Sequence, residues 1–402
     1  MLFLAIVAGY LYITGYFDMP ARTIAPEQKI SETSELQHSQ SSGQRQENLF
    51  ELQDLPTPLF EHHEHKQAAK GLSEAELKAV EKLKEGDYEG AIKYLKELSE
   101  KDKRVLADIG LLYIKLTDYD NGITFLEEAL KQETLKHTDN ELLTRKALAF
   151  AYYKKDDLDK SLLNIEKCLA IKKEPELLAI HDRLMREKST QQGFIGESTM
   201  HFKVMFDGYE HSGISRMVIG ILEDAYKHVG SELNYFPSQP VTVILYTTKA
   251  FHDTTHAPEW AGGLYDGKIR VPVKGVEGNE EILKKVLFHE YTHAVVHSIT
   301  PVCPLWVNEG LAEYFSKKYP KRIGQVVPLN LLERSFSWLG GGRVGIAYWE
   351  SYSAVSFLIE KYSASNIKDF LYSLAKGNDI NTAFSDAFYT SYNDFIASWG
   401  KG

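Results

Sequence analysis

Cysteine is nearly absent: Cys168 and Cys303 are the only two in 402 residues. Two thiols so far apart in sequence cannot make a disulfide framework, and they do not supply the Cys-rich four-ligand set usual for a structural zinc site. Each reads as a small buried hydrophobe. Basic residues are also in deficit, 46 Lys and Arg against 56 Asp and Glu, giving a formal charge of −10. Nucleic-acid affinity rests on Lys and Arg neutralising phosphates, so this balance argues against a polyanion binder. What is present is an ordinary globular composition, 43% hydrophobic and 25% charged. The length exceeds what one hydrophobic core usually serves, so two or more domains are expected.

An uncharged apolar run from Leu2 to Phe17 opens the chain and ends at Asp18. As a helix rising ~1.5 Å per residue it approaches the roughly 30 Å of a bilayer core. Residues 1–20 are therefore read as a membrane anchor or signal segment. Met19, Pro20 and Ala21 before Arg22 make a poor cleavage site, which favours an uncleaved anchor. Residues 21–66 are rich in Gln, Ser and Glu and cannot bury enough apolar surface to offset chain entropy, so they read as a disordered linker. The string Glu61-His62-His63-Glu64-His65 inside it reads as a solvated charged stretch. This arrangement places the folded part on the extracytoplasmic side of a bacterial-type membrane.

Between residues 67 and 192 a turn pattern recurs: Gly86-Asp87-Tyr88-Glu89-Gly90-Ala91-Ile92, Thr117-Asp118-Tyr119-Asp120-Asn121-Gly122-Ile123 and Asp156-Asp157-Leu158-Asp159-Lys160-Ser161-Leu162, at spacings of 31 and 39 residues. Each copy precedes an apolar stripe, and the spacings bracket a period of ~34. This region resembles the tetratricopeptide repeat. The resemblance implies stacked helix pairs with a surface that docks a peptide or partner protein.

From residue 193 to 402 the pattern is mixed. Met200 to Phe206, Val241 to Tyr246 and Lys268 to Val273 read as strands, and helices dominate after them. Pro272 predicts that the Lys268 to Val273 strand lies at an edge, or ends there, with an open ladder. The fold class is thus a mainly α helical-repeat domain followed by an α+β domain.

Chemistry concentrates in His289-Glu290-Tyr291-Thr292-His293, in the middle of a helix predicted from Asn279 to His297. Two His four apart project from one helix face, so both imidazoles reach one Zn²⁺ at ~2.0 to 2.1 Å. Glu290 stands beside the metal without binding it, placed to take a proton from a zinc-bound water. His297 is eight residues, or ~12 Å, from His289, too far to share the ion. A third ligand must come from elsewhere. Downstream stands Trp306-Val307-Asn308-Glu309-Gly310-Leu311-Ala312-Glu313. With it, residues 198 to 402 resemble the gluzincin metallopeptidases, which pair the His-Glu-x-x-His motif with a Glu in an Asn-Glu-Gly or Asn-Glu-Ala segment.

That resemblance implies a zincin-like domain with His289, His293 and Glu309 as zinc ligands and Glu290 as general base. Fifteen residues separate His293 from Glu309, fewer than in well-known gluzincins, and Glu313 restores a longer spacing. Glu309 matches the local string; Glu313 then orients a ligand His through its other ring nitrogen. The segment Gly345 to Tyr352 is similar to the one that carries the catalytic Tyr of aminopeptidase-like gluzincins, which implies Tyr348, with Tyr352 one turn away, as oxyanion donor. The aminopeptidase segment that binds a substrate amino terminus is missing, which favours endopeptidase action on a peptide or protein pairing with the open strand. The competing expectation is a repeat scaffold whose peptidase-like half is idle.

Overall fold

The structure, a computed structural model, describes residues 74–132, 138–208, 212–257, 261–273, 279–300, 302–316, 327–336, 339 and 344–399. The apolar N-terminal segment, the polar linker and its His-Glu string lie outside the described residues. Among the described residues no helix is long and apolar enough to cross a membrane.

Three helix pairs come first: α1 (Glu74–Lys84) with α2 (Tyr88–Ser99), α3 (Leu106–Lys115) with α4 (Tyr119–Ala129), and α5 (Asp139–Lys154) with α6 (Leu158–Ile171). The recurring sequence pattern is the turn inside each pair. Asp87, Asp118 and Asp157 are the N-caps of the second helices, accepting from the backbone N–H of Gly90, Asn121 and Lys160. Each cap satisfies a donor that the helix start leaves orphaned. The residue before each Asp, Gly86, Thr117 or Asp156, has a left-handed φ of +72°, +58° or +60° and reverses the chain. A seventh helix, α7 (Pro175–Thr190), starts with Pro175, whose missing N–H costs nothing in the first turn, and packs on α6.

Next comes a five-stranded sheet. Its strands are β1 (Phe194–Ser198), β2 (Phe202–Asp207), β3 (Val241–Tyr246), β4 (Leu264–Tyr265) and β5 (Ile269–Pro272), in the order β1-β2-β3-β5-β4. The β2, β3 and β5 strands are parallel, while β1 and β4 run antiparallel on the two flanks. Strand alternation sorts the two faces. Phe202, Val204, Phe206, Val243, Leu245, Ile269 and Val271 point into the main core with α8 (Ser212–Leu233) and the later helices. Ile244 and Tyr246 face the other way, against Phe251 of α9 (Thr248–Thr255).

The expectation of an open edge at Lys268 to Val273 is corrected here. β5 lies between β3 and β4, and Leu264 and Tyr265 cover Arg270 and Ile269. The chain folds back through Gly267, whose φ of +95° suits a residue without a Cβ. A two-residue strand is too short to show a hydrophobic period. Pro272 does close β5, as its missing N–H allows.

The outer face of β5 meets the repeats through charge. Lys268 and Arg270 are 1% exposed. Lys268 Nζ lies 2.8 Å from Asp156 Oδ1 and 3.3 Å from Glu187 Oε1. Arg270 donates to Glu187 at 2.8 Å, to Asp266 at 2.9 Å and to the hydroxyls of Tyr153 and Tyr246 at 2.6 and 2.7 Å. Arg183 of α7 also pairs with Asp266. Burial alone pushes the Glu187 carboxyl up, but Arg270 and Lys268 outweigh it and hold the group far below the usual carboxylate range. Three cations are thereby matched by three carboxylates contributed from both sides of the junction, which is what makes their burial tolerable.

The remaining helices are α10 (Glu280–Ile299), α11 (Leu305–Ser316), α12 (Val344–Lys361), α13 (Ala364–Ala375), α14 (Ile380–Phe388) and α15 (Tyr392–Ser398).

Candidate metal centre and active site

α10 has Asn279 at its N-cap position, and Glu280 and Glu281 occupy its first turn, where carboxylates complement the helix dipole. Its apolar residues Leu283, Leu287, Tyr291 and Val295 are held in the core, which fixes the rotation of the helix and turns His289 and His293 to one side. The two rings meet edge to face, centroids 4.7 Å apart.

α11 brings Glu309 to the same point. Leu305 at its start donates its N–H to the Glu333 carbonyl at 2.8 Å, and Trp306 donates to the Tyr392 hydroxyl at 3.0 Å. Tyr392 in turn donates to the Glu333 carboxylate at 2.9 Å. Gly310 lets α12 approach: a Cβ there would collide with the Ser351 carbonyl oxygen and stand 2.5 Å from Val355 Cγ2. Glycine after Glu309 is therefore a packing requirement of this helix pair.

Glu309 Oε2 lies 3.4 Å from His289 Nε2 and 3.6 Å from His293 Nε2. One donor atom from each residue falls within 4.8 Å of the others. A tetrahedral zinc with bonds of ~2.0 to 2.1 Å has ligand–ligand edges of roughly 3.3 to 3.4 Å, so both Glu309 edges are close to that spacing. Glu309 Oε2 is also buried without a hydrogen-bond partner, its neighbours being the two imidazole nitrogens, so the three atoms frame a point that a cation would satisfy. The donor set of two imidazoles and one carboxylate fits zinc.

Two further side chains orient these rings. His293 Nδ1 is 3.0 Å from Asn308 Oδ1. His289 Nδ1 is 3.3 Å from Glu313 Oε1, an ion-pair separation without hydrogen-bond alignment. Glu313 is thus placed behind His289, on the ring nitrogen away from Glu309. The part of Asn308 escaped the sequence reading, although it stands in the same string.

Charge is concentrated here. Burial disfavours the imidazolium of His289, yet Glu309 and Glu313 reverse this and raise its pKa to about 10. His293 is also shifted upward, with Glu309 overcoming burial. Burial would raise the Glu309 carboxyl, but the two His outweigh it and hold it far below its ordinary value. Glu290, 7% exposed, moves the opposite way: burial pushes it up and the two His offset only part of that. A carboxylate raised toward neutrality is suited to exchanging a proton. Gly263, just before β4, backs it, since a Cβ there would be 2.9 Å from Glu290 Cγ and Oε1.

Tyr348 and Tyr352 lie on α12, one turn apart. The Tyr348 ring is edge-on to Phe336 at 5.4 Å, and the Tyr352 ring lies 6.4 Å from that of Tyr314. His297 packs against Tyr265 at 5.7 Å, and burial pushes its pKa down to about 3. It is a packing histidine outside the cluster.

Residues 223–400 match the family model of the peptidase MA superfamily, and residues 104–133 match that of the tetratricopeptide repeat. No curated protein matches the chain. His289, Glu290, His293 and Glu309 thus all lie within the stretch that is similar to the peptidase MA superfamily, and the stretch similar to a tetratricopeptide repeat lies N-terminal to it.

Proposed function

We propose that this protein is a membrane-anchored zinc metallopeptidase that hydrolyses peptide bonds, with residues 67–192 recruiting a substrate or partner and residues 193–402 doing the chemistry. The observation that carries the reading is the meeting of two imidazole nitrogens and one buried carboxylate oxygen that makes no hydrogen bond, beside a buried Glu290. His289, His293 and Glu309 would hold the zinc, whose chemistry is that of a Lewis acid for the scissile carbonyl and for water. Glu290 takes the proton from the attacking water and delivers it to the leaving amine. Asn308 holds His293 in the tautomer that leaves its Nε2 lone pair free, and the Glu313 carboxylate behind His289 favours a proton on that ring's Nδ1. Tyr348, or Tyr352 one turn on, donates to the developing oxyanion.

An extended peptide adds to the sheet at β4, the flank beside α10. Such a site needs no free amino terminus, which favours internal cleavage. The apolar segment Leu2 to Phe17 is the anchor, and it puts the catalytic part on the extracytoplasmic side. The test is zinc analysis of the purified full chain, wild type and His293→Ala, with cleavage of a peptide library. One zinc per wild-type chain, loss of zinc in the variant and cleavage only by the former are expected. Zinc binding with no cleavage of any peptide would transfer support to a repeat scaffold with an idle peptidase-like half.

A further inference from the structure

The hairpin of β4 and β5 touches both halves of the molecule. On its inner side the Gly263 backbone lies against Glu290, and Tyr265 packs against His297, two turns along the same helix. On its outer side it is gripped by the repeat helices. Arg183 of α7 pairs with Asp266 in the turn, and Lys154 of α5 lies where a Cβ on Gly267 would stand. Glu187 of α7 holds Arg270 at 2.8 Å and Lys268 at 3.3 Å. The side chains of Asp266, Glu187 and Arg270 are 1%, 0% and 1% exposed, and that of Arg183 is 11% exposed. The ladder of β4 itself is short, pairing Leu264 with Arg270 and Tyr265 with Ile269, and so short a ladder is weak by itself.

We infer that Arg183 and Glu187 of the last repeat helix are positioning residues for the candidate active site, acting through Asp266 and Arg270 on the hairpin whose backbone packs on Glu290. The inference rests on the peptidase reading for what Glu290 does; the grip of the repeats on the hairpin stands apart from it. Ion pairs suit this task. They are directional, and with water excluded a displaced hairpin would separate buried charges from the partners that compensate them. A proton acceptor tolerates little displacement, since ~1 Å of misplacement can cost roughly 100-fold in rate. The repeats then have two roles, holding the catalytic geometry as well as offering a docking surface.

The experiment compares full-length wild type with Arg183→Met, Arg183→Lys and a control, Lys188→Met, on the exposed side of the same helix. Amide exchange over residues 261–273 and kcat per bound zinc on a library-derived peptide are read together. In Arg183→Met the hairpin exchanges faster at full zinc content, and kcat and kcat/KM fall together by roughly 10-fold or more. Arg183→Lys restores most of both, and Lys188→Met matches wild type. Unchanged hairpin exchange, a rise in KM alone, or no rescue by Lys would overturn the inference. If Arg183→Met does not fold, Asp266→Asn removes the charge at constant shape and carries the same expectations. A zinc-loaded wild type that cuts no peptide overturns the peptidase reading alone, and the exchange comparison still decides whether the repeats hold the hairpin.

Discussion

His293 Nδ1 and Asn308 Oδ1 stand 3.0 Å apart, joining α10 to the residue before Glu309. An oxygen acceptor at that distance places the ring proton on Nδ1 and leaves the Nε2 lone pair toward Glu309. Removing the acceptor by Asn308→Ala is expected to weaken zinc binding roughly 10- to 100-fold, while Asn308→Asp keeps an oxygen there and retains it. Competition with a chromogenic chelator measures this, and equal affinity in all three proteins would contradict the role.

Glu290→Gln keeps the shape of the side chain and removes its basicity. Zinc content is expected to stay near one per chain while kcat falls at least ~100-fold. Loss of metal along with activity would make Glu290 structural.

Glu309 and Glu313 separate by the same assay. Glu309→Ala removes the oxygen on which both Nε2 atoms converge and is expected to strip the metal. Glu313→Ala frees His289 Nδ1 and weakens binding by roughly 10- to 100-fold only. The reverse order would exchange the two assignments.

Gly310→Ala drives a methyl group into the Ser351 carbonyl and Val355. Forcing α11 and α12 apart is expected to cost roughly 1–3 kcal/mol, read as a lower Tm of the metal-free protein. An unchanged Tm would mean the helices separate freely.

Zinc must displace protons. His289 titrates at about 10 when metal-free because Glu309 and Glu313 overcome its burial, and His293 is raised as well. Zinc affinity should therefore rise about tenfold per pH unit for each proton released between about pH 6 and pH 8. Calorimetry in two buffers of different ionisation enthalpy counts those protons, and a count of zero would refute the shift. The stability His289 lends the metal-free fold runs the other way. It is complete below the unfolded pKa of ~6.5 and is lost as pH rises through about 10.

Local chemistry was legible in the sequence. The turns at Asp87, Asp118 and Asp157 are read from three short strings because a turn is set by its own few residues; that each Asp caps the next helix is seen only in the structure. The convergence of His289, His293 and Glu309 is readable because a four-residue spacing sets two imidazoles on one helix face and the Asn308-Glu309-Gly310 string, through the family resemblance, points to the third side chain. Lys268 and Arg270 were not legible as buried: alternation assigns them to one face, but the carboxylates that cover it come from Asp156 and Glu187, about a hundred residues upstream. The edge at β4 was missed because two residues carry no period. Tyr348 and Tyr352 lie one turn apart on one helix, so spacing alone does not choose between their hydroxyls.

The buried pairs across the junction also bear on how far this chain is modular. By pattern, the seam lies at Gln192 and Gly193, where helical periodicity gives way to strands. By charge it lies nowhere near there. Excising residues 193–402 would strip Lys268 and Arg270 of Asp156, Glu187 and Tyr153 and lay open a strand face built to be covered. The complementary fragment would expose Glu187 at the end of its last helix. Each piece would keep its signature motif and lose its partner charges, so the C-terminal half cut where its pattern begins is expected to be less stable than the same residues in the full chain. The self-sufficient unit is then expected to include the repeats, and a truncation that removes them to disturb a site none of whose residues it touches.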